Sequence, residues 1–256
     1  MKVGLIGLGA MGSAMARIIL EEDSLAIFSR TFSKVERFTK EVGGKGCQSL
    51  EKLAQSSDVI LLAVKPKELE SVAEELDPLI KKETVLMSIL GGVSIETLKE
   101  NFSNGVPFRV MPNLPLLCKK GMLGIAIEEG VDQRHKETVQ AILSRMGTVA
   151  WIEERLMNAF AALTGSNPAL IALIVEAMVE AGILLGFKAE ISQDFVLKTI
   201  EGTVALLQQG DLSTLDLRHQ VCSPGGTSIV GIEALEKEGV RYGLIEGLKR
   251  IAHVHD

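Results

Sequence analysis

The sequence has few cysteines, no excess of positive charge and no recognisable export signal. It contains three cysteines, Cys47, Cys118 and Cys222, which lie far apart and form no C-x-x-C pair. This spacing argues against a zinc site and a disulfide framework, and it suits a reducing cytoplasm. The net charge of −6 argues against a nucleic-acid partner, which would need a basic surface.

The N-terminal residues lack the charged segment, apolar segment and small-residue cleavage site of a secretory signal peptide. We therefore expect a cytoplasmic protein. Its 256 residues allow one large domain or two small ones. The hydrophobic fraction of 46 % is high enough for a sizeable core.

The start of the chain combines a strand pattern, a glycine loop and a helix pattern. Residues 1–6 (M-K-V-G-L-I) predict a buried strand, and residues 14–20 have a helical composition with no breaker. Between them, residues 7–12 (G-L-G-A-M-G) form a G-x-G-x-x-G motif. Such a motif indicates dinucleotide binding when it follows a strand and opens a helix. The alternative is a turn that is merely rich in glycine.

Each position of the glycine loop has a role in that interpretation. Gly7 permits the tight turn, Gly9 lets the backbone approach a pyrophosphate, and Gly12 lets helix and strand pack closely. Ala10 and Met11 lie between these glycines at the start of the helix. We expect the free N–H groups of this first turn to face the diphosphate.

The next strand pattern ends without the acidic residue that NAD-specific folds use to hold the ribose 2′-hydroxyl. An apolar segment at residues 25–28 leads instead into Ser29, Arg30 and Thr31, with Lys34 one turn later. A cation and a hydroxyl, with no competing acid, suit a 2′-phosphate. We therefore predict NADPH as the cofactor, with weaker use of NADH. The alternative is a solvated arginine after a strand.

Strand and helix patterns alternate through the first part of the chain. Further strands are predicted at residues 59–64, 84–90, 106–111, 124–127 and 149–152, and further helices at 33–41 and 132–145. This alternation predicts an α/β fold with a Rossmann-like, doubly wound sheet. We assign residues 1–152 to a dinucleotide-binding domain.

Two of these strands end in residues suited to a ligand. Ligands bind at the carboxyl ends of parallel strands, so Lys65, which follows the strand at 59–64, is a candidate cofactor contact. Pro66 then suits the first position of a helix. Gly91 and Gly92 allow a ligand to approach the end of another strand. The alternative for Lys65 is an ordinary solvated side chain.

From residue 153 onward only helices are predicted. One helix, residues 168–187, is apolar almost all round and long enough to span a bilayer. Glu176 and Glu180 at its middle argue against a membrane, because central carboxylates are costly in lipid. A second subunit is the expected cover for this helix, and both glutamates are then expected to find hydrogen-bond partners.

Glycines mark several points of this helical region. Gly182 and Gly186 have a spacing that suits close contact with another helix. A further helix is predicted at residues 190–209, and Gly210 and Asp211 end it.

The most distinctive segment of the helical region is S-P-G-G-T-S at residues 223–228. Ser223 suits the N-cap and Pro224 the first position of a helix. The two glycines that follow remove side chains from the first turn, whose free N–H groups suit a carboxylate. Thr227 and Ser228 add hydroxyl groups to the same turn. The alternative is a well-capped helix with a glycine packing contact.

Together these motifs resemble the Δ1-pyrroline-5-carboxylate reductase family. The matching segments run in family order over nearly the whole chain: G-L-G-A-M-G (7–12), S-R-T (29–31), D-V-I-L-L-A-V-K-P (58–66), M-P-N-L-P (111–115), T-G-S-N-P-A (164–169), E-A-M-V-E-A-G (176–182) and S-P-G-G-T-S (223–228). The resemblance implies an N-terminal NADPH domain and an α-helical dimerisation and substrate domain, residues 153–256. It implies a homodimer or an assembly of dimers, with a site shared between subunits. The implied reaction passes hydride from the nicotinamide to C5 of the cyclic imine and gives L-proline.

The resemblance also implies individual site residues. On the cofactor side these are Ala63, Val64, Lys65, Pro66, Ile89, Leu90, Gly91, Asn113 and Gln220. On the substrate side they are Gly225, Gly226, Thr227, Ser228 and Asp211. Ser228 is the residue assigned to catalysis, through a hydrogen bond between its hydroxyl and the imine nitrogen. No catalytic histidine is needed, because a protonated iminium already attracts hydride.

The sequence departs from the family pattern at several positions. Leu114 replaces the usual Thr of M-P-N-T-P, and Asn167 and Leu170 replace Gly and Tyr of G-S-G-P-A-Y. Ser228 stands where Thr is usual, and His219 stands where Asp is frequent. These changes leave the substrate less certain than the reaction type. One alternative is therefore the reduction of another cyclic imino acid, such as a six-membered ring.

Two further alternatives belong to other groups of proteins. β-Hydroxyacid dehydrogenases share G-x-G-x-M-G but use a helical-domain lysine as acid, and no lysine lies between Arg155 and Lys188. A non-enzymatic NADPH-binding regulator would not need the hydroxyl-bearing turn at 223–228. A metal site at His253 and His255 is disfavoured, and we predict no metal.

Overall fold

A computed structural model describes residues 1–253 and divides them into two compact units, residues 1–165 and residues 166 onward. The first unit contains a single eight-stranded sheet. Its strands are β1 (Lys2–Ile6), β2 (Ser24–Phe28), β3 (Lys45–Gly46), β4 (Val59–Leu62), β5 (Val85–Ser88), β6 (Val106–Met111), β7 (Gly121–Ile127) and β8 (Gly147–Glu153).

The strand order confirms the predicted Rossmann-like sheet. The order is β3-β2-β1-β4-β5-β6-β7-β8. All neighbouring strands are parallel except the antiparallel pair β6 and β7. The strand order therefore reverses between β1 and β4. Open α/β sheets bind ligands at such a switch point.

Helices cover both faces of this sheet. They are α1 (Ala10–Ile19), α2 (Phe32–Glu41), α3 (Leu50–Gln55), α4 (Leu69–Leu76), α5 (Ile95–Asn101), α6 (Gln133–Leu143) and α7 (Met157–Ala161). Leu5 of β1 belongs to one core cluster with Met15, and the next residue, Ile6, belongs to another with Leu53. Burial on both faces explains why the strands have apolar runs and not alternating patterns.

Several elements differ from the sequence prediction. Strand β3 was not predicted, because two residues leave no periodicity. Helices α3 and α5 were also missed, although each has a capping serine. The hydroxyl of Ser49 accepts from the N–H of Lys52, and that of Ser94 accepts from the N–H of Thr97. Such serines are start signals that could have located both helices.

The first unit continues beyond its last strand. A 310 turn at Glu154–Leu156 and α7 are followed by a π-helical turn at Ala162–Ser166. Phe160 packs against β7 so closely that a Cβ on Gly124 would lie 2.6 Å from its Cε1 atom. The domain boundary after residue 152 stays a prediction.

The second unit is helical throughout the part of the chain that the structure describes, as predicted. Its helices are α8 (Asn167–Leu184), α9 (Ala189–Gln208), α10 (Thr214–Val221), α11 (Thr227–Lys237) and α12 (Val240–Ala252). The Ser192 hydroxyl of α9 donates to the Val179 carbonyl of α8 at 2.9 Å. A Cβ on Gly182 would lie 2.0 Å from that hydroxyl oxygen, so the close contact predicted at Gly182 is confirmed.

Gly186 has a different role from the one predicted. Its φ of +101° is left-handed, and α8 ends two residues before it, at Leu184. The N–H of Phe187 bonds the carbonyl of Gly182 at 3.1 Å across this turn. Gly186 therefore ends the helix, because glycine adopts this conformation without a steric penalty, and a close helix contact there stays a prediction.

The second unit leaves most of its apolar side chains uncovered. Ser192 is its one buried residue among those that the structure describes. Large exposed hydrophobic side chains on α8 and α9 are Ile171, Leu173, Met178, Ile183, Leu184, Ile191, Phe195, Leu197, Val204 and Leu206. Exposed apolar surface of this extent marks an interaction site.

The helical stretch Glu154–Leu184 is long and apolar enough, by length and composition alone, to cross a membrane. None of its most apolar part is buried. Glu176 and Glu180 lie within it, both exposed, and neither forms a hydrogen bond or ion pair with any of residues 1–253. The partners expected for these glutamates are thus absent within the described chain.

Candidate active site

The glycine loop joins β1 to α1 as predicted. β1 ends at Ile6, Gly9 is the N-cap, and the N–H of Ser13 donates to the Gly9 carbonyl at 2.9 Å. The preceding N–H groups of the first turn have no partner within the helix. They are therefore available for an anion.

The three glycines of the loop meet different surroundings. Gly7 has a φ of +102°, and a Cβ there would lie 2.5 Å from the Ala63 carbonyl oxygen. A Cβ on Gly12 would lie 2.6 Å from the Gly7 carbonyl oxygen. A Cβ on Gly9 would meet nothing within 4 Å. Packing thus explains Gly7 and Gly12, whereas Gly9 leaves open space at a helix N-terminus, which fits a bound diphosphate.

The strands around the loop end at the same level. The N–H of Gly7 donates to the Phe28 carbonyl at 2.9 Å, and that of Ala63 donates to the Ile6 carbonyl at 2.8 Å. These bonds align the ends of β2, β1 and β4. The candidate cofactor site therefore lies at the point where the strand order reverses.

A cleft of about 340 Å³ opens at these strand ends. It is lined by Ile6, Gly7, Leu8, Gly9, Phe28, Ser29, Arg30, Thr31, Lys34, Ala63, Val64, Lys65, Glu68 and Val72. The structure therefore brings together the predicted glycine-loop, ribose and A-V-K residues. Predicted cofactor residues of the first unit that do not line it are Ala10, Met11, Gly12, Pro66, Ile89, Leu90, Gly91 and Asn113.

The prediction that no acid competes for Arg30 is wrong. The Arg30 guanidinium forms an ion pair with the Glu68 carboxylate. Glu68 lies after β4, 38 residues further along the chain than Arg30, and was not predicted as part of the site. A signal was present, because Glu68 stands three residues after Lys65, the spacing at which a carboxylate reaches back to a helix start.

Strand β5 ends two residues earlier than predicted. The strand ends at Ser88, and its hydroxyl accepts from the N–H of Leu90 at 3.4 Å. The Leu90 side chain is 2 % exposed and packs in the core, and its contact with the cofactor stays a prediction. Gly91 is exposed, and a Cβ there would meet nothing within 4 Å. A ligand therefore has space to approach this strand end.

Asn113 links two backbone segments of the first unit. Its Oδ1 accepts from the N–H of Met122 at 2.8 Å, and its Nδ2 donates to the Thr164 carbonyl at 3.0 Å. Thr164 lies in the π-helical turn Ala162–Ser166, and turns of this kind occur frequently at functional sites. The side chain of Asn113 therefore holds the M-P-N-L-P loop against this turn, a role the sequence did not indicate.

The S-P-G-G-T-S segment differs locally from its prediction. α11 begins at Thr227 with Gly226 as N-cap, so Ser223 is not the cap and Pro224 is not the first helical residue. The N–H of Gly226 donates to the Ser223 carbonyl at 3.0 Å, and Gly225 has a φ of +70°. Proline followed by a left-handed glycine is the pattern of a type II turn.

The two hydroxyl residues therefore lie at the very start of the helix. Thr227 and Ser228 now occupy the first two positions of α11, where backbone N–H groups are free. Neither hydroxyl bonds to any of residues 1–253, and Ser228 is half-buried. The arrangement suits an anion held by N–H groups beside a free hydroxyl.

The other two residues predicted from the second unit are exposed. Asp211 follows the end of α9, and Gln220 lies in the last turn of α10. α10 is fixed at its start by a capping box, in which hydrogen bonds from the Ser213 hydroxyl and N–H lower the pKa of Asp216. The helix that carries Gln220 therefore has a well-defined N-terminus.

Comparison with known proteins matches this arrangement to one family. A curated relative from Synechocystis sp., named pyrroline-5-carboxylate reductase, is 34 % identical over 97 % of this chain and 94 % of its own. One from Aquifex aeolicus with the same name is 33 % identical over 98 % and 94 %. This chain belongs to the pyrroline-5-carboxylate reductase family. The resemblance read from the motifs is thereby confirmed.

Solved structures of pyrroline-5-carboxylate reductases have the same fold. The Plasmodium falciparum protein, described with NADP bound, superposes with a TM-score of 0.90 at 30 % identity and covers 99 % of this chain and 96 % of its own. The Streptococcus pyogenes protein gives a TM-score of 0.91 at 25 % identity, over 100 % and 98 %. These matches span both units.

Two family models match separate parts of the chain. The model described as pyrroline-5-carboxylate reductase dimerisation matches residues 154–255. The model described as NADP oxidoreductase coenzyme F420-dependent matches residues 2–92. The first assigns the exposed apolar side chains of α8 and α9 to a dimerisation region, so the chain is one that oligomerises.

The Cys47 thiol does not line the cofactor cleft. Burial raises the pKa of the Cys47 thiol, which disfavours a nucleophilic thiolate. Within residues 1–253 no three His, Cys, Asp or Glu side chains cluster as metal ligands. His255 of the H-x-H pair lies outside the described residues, so the absence of a metal stays a prediction.

Proposed function

We propose that this protein reduces Δ1-pyrroline-5-carboxylate to L-proline with NADPH, the last step of proline biosynthesis. The observation that carries the proposal is the near full-length match to enzymes with this name. The cleft at the strand ends supports it, because a glycine loop, an arginine and hydroxyl groups meet there. When bound, NADPH supplies the hydride.

On the cofactor side, the chain holds the dinucleotide by its phosphates. The N–H groups of the first turn of α1 bind the diphosphate, since Gly9 leaves their approach open. Ser29, Thr31 and Arg30 surround the 2′-phosphate, with Lys34 nearby. Ala63, Val64 and Lys65 also line this cleft and complete the contacts from β4. Asn113, Gln220 and the β5 end complete the proposed set.

On the substrate side, the start of α11 binds the carboxylate. The free N–H groups after Gly225 and Gly226 hold the anion, and Thr227 adds a hydroxyl. The Ser228 hydroxyl oxygen accepts a hydrogen bond from the protonated ring nitrogen and so orients the C=N carbon. Asp211 is the remaining proposed substrate contact. These residues need no proton transfer of their own, because the protonated imine is already electrophilic.

The second candidate is reduction of a six-membered cyclic imino acid. It is favoured by Leu114, which replaces the usual Thr and is 52 % exposed, and by Asn167 at the first position of α8. Steady-state kinetics with both imines and NADPH distinguish the two candidates. We expect kcat/KM to be higher for pyrroline-5-carboxylate, and a higher value for the six-membered ring would assign the enzyme to that substrate.

We also propose that two copies assemble through α8 and α9, and that the enzyme acts in the cytoplasm. The exposed side chains of this surface, defined above, resemble a core divided between two subunits. Pairing with a second copy would bury them and would offer partners to Glu176 and Glu180, which have none within residues 1–253. Larger assemblies of such dimers are compatible with this arrangement.

Leu173→Glu is expected to abolish this dimer. Leu173 is 62 % exposed in the single chain, so the substitution disturbs no core, but it places a charge in an apolar interface. Sedimentation velocity at assay concentration measures the result. The control is Leu79→Glu, which charges an exposed leucine of the first unit and should leave the dimer intact. A fully active wild-type monomer would refute the proposal.

A further inference from the structure

Glu68 is the one acid among the residues that line the cofactor cleft. Its side chain is 15 % exposed, whereas that of Arg30 is 71 % exposed. The Glu68 carboxylate pairs with the Arg30 guanidinium through Oε1 and accepts from the N–H of Lys65 through Oε2 at 3.2 Å. One oxygen therefore anchors the carboxylate to the backbone while the other holds the arginine.

The backbone around Glu68 fixes its position. Pro66–Glu68 form a 310 turn directly after β4, and the N–H of Glu68 donates to the Lys65 carbonyl at 2.8 Å. The carboxylate returns to the Lys65 N–H in the manner of a capping box. A carboxylate tied in this way stays at the cleft when its partner arginine moves.

The pairing distinguishes Arg30 from the other cations of the cleft. Lys34 and Lys65 also line it, and neither forms an ion pair with any of residues 1–253. Arg30 alone has its charge partly neutralised there by a carboxylate. The 2′-phosphate of NADPH carries up to about two negative charges and requires the same guanidinium donors.

From these observations we infer that Glu68 sets the preference between NADPH and NADH by competing with the 2′-phosphate for Arg30. The inference rests on the cofactor of the proposed function. NAD-specific folds place an acid at the end of β2. Here the acid is Glu68, which lies in the turn that follows β4, and it pairs with Arg30 at the end of β2. Glu68 thereby weakens the binding of a 2′-phosphorylated cofactor and leaves the binding of NADH unchanged.

The test is the Glu68→Gln variant, in which the amide oxygen can still accept from the Lys65 N–H while the charge is lost. Purified wild-type and variant proteins are titrated calorimetrically with adenosine 2′,5′-bisphosphate and with AMP. We expect Glu68→Gln to tighten bisphosphate binding roughly 1.4- to 5-fold, which corresponds to the about 0.2–1 kcal/mol that exposed ion pairs contribute, at about 1.4 kcal/mol per decade. The Kd for AMP should not change.

Two further variants separate the competing explanations. Glu70→Gln removes the same charge two residues away, from an exposed side chain without an ion pair within residues 1–253, and should change neither Kd. In an Arg30→Ala background, Glu68→Gln should no longer have an effect. A gain that persists without Arg30, or that Glu70→Gln reproduces, would overturn the inference.

Failure of the inference differs from failure of the proposed cofactor. If the wild type binds the bisphosphate but Glu68→Gln leaves its Kd unchanged, Glu68 does not set cofactor preference and the proposed NADPH site stands. If the wild type binds the bisphosphate no better than AMP, the proposed NADPH preference is wrong and the inference falls with it.

Discussion

Ser228→Ala is expected to lower kcat by about 10- to 150-fold, with a much smaller effect on KM. The fold-change corresponds to the loss of one hydrogen bond to a charged group, about 1.5–3 kcal/mol, at about 1.4 kcal/mol per decade of rate. Backbone N–H groups at the start of α11 hold the substrate carboxylate in our proposal, so binding should survive loss of the side chain. The measurement is steady-state kinetics with pyrroline-5-carboxylate.

Ser228→Thr supplies the matched control for this prediction. Threonine keeps the hydroxyl and is the usual residue of the family at this position, so activity should be retained. NADPH affinity, measured separately, should be the same in both variants. An unchanged kcat in Ser228→Ala would leave this residue with no catalytic role. Loss of NADPH binding would show that the hydroxyl contacts the other ligand.

Gly9→Ala is expected to weaken NADPH binding by about tenfold or more, or about 1.4 kcal/mol, while the protein stays folded. The added Cβ meets no protein atom within 4 Å, but it occupies the space through which a diphosphate reaches the helix N-terminus. The change of an N-cap glycine to alanine should cost no more than about 1 kcal/mol of unfolding free energy. Cofactor titration and denaturant unfolding without cofactor measure the two effects.

Gly7→Ala should instead lower the free energy of unfolding. Its φ of +102° and the 2.5 Å approach of a Cβ to the Ala63 carbonyl oxygen predict backbone strain of about 1–3 kcal/mol or more. This variant should therefore unfold at lower denaturant concentration even in the absence of cofactor. If Gly9→Ala kept its NADPH affinity, the space above Gly9 would not be the diphosphate site.

The parts of the site that are formed by residues close together in the sequence were predictable from it. The glycine loop, the apolar strands and the residues that follow them are local patterns, and β1, α1 and β4 appear where those patterns placed them. The roles of Gly7 and Gly12 followed from the same reasoning. Burial on both faces of the sheet made the strands continuous apolar runs, which are easy to recognise.

The pairing of Arg30 with Glu68 could not be read in the same way. The two residues are 38 apart in sequence, and their proximity depends on β2 and β4 lying on either side of β1. Without the strand order, Glu68 is one of many acids that follow a strand. The same limitation hid the contact of Asn113 with the Thr164 carbonyl, 51 residues away.

The S-P-G-G-T-S segment was ambiguous for a different reason. Serine followed by proline is a favourable helix start, and proline followed by glycine is equally favourable in a type II turn. The left-handed φ of Gly225 decides between them, and backbone dihedrals are not visible in composition. Because the helix starts at Thr227, Ser228 lies closer to the free N–H groups than the sequence had indicated.

The central claim is that this chain moves a hydride from NADPH to the imine carbon of pyrroline-5-carboxylate. It is tested most directly by incubating the purified protein with that imine and with NADPH that carries deuterium in both positions at C4 of the nicotinamide. Mass spectrometry and NMR then identify the product and the position of the label. The account predicts L-proline with one deuterium at C5. No proline, or proline without deuterium at C5, would contradict it.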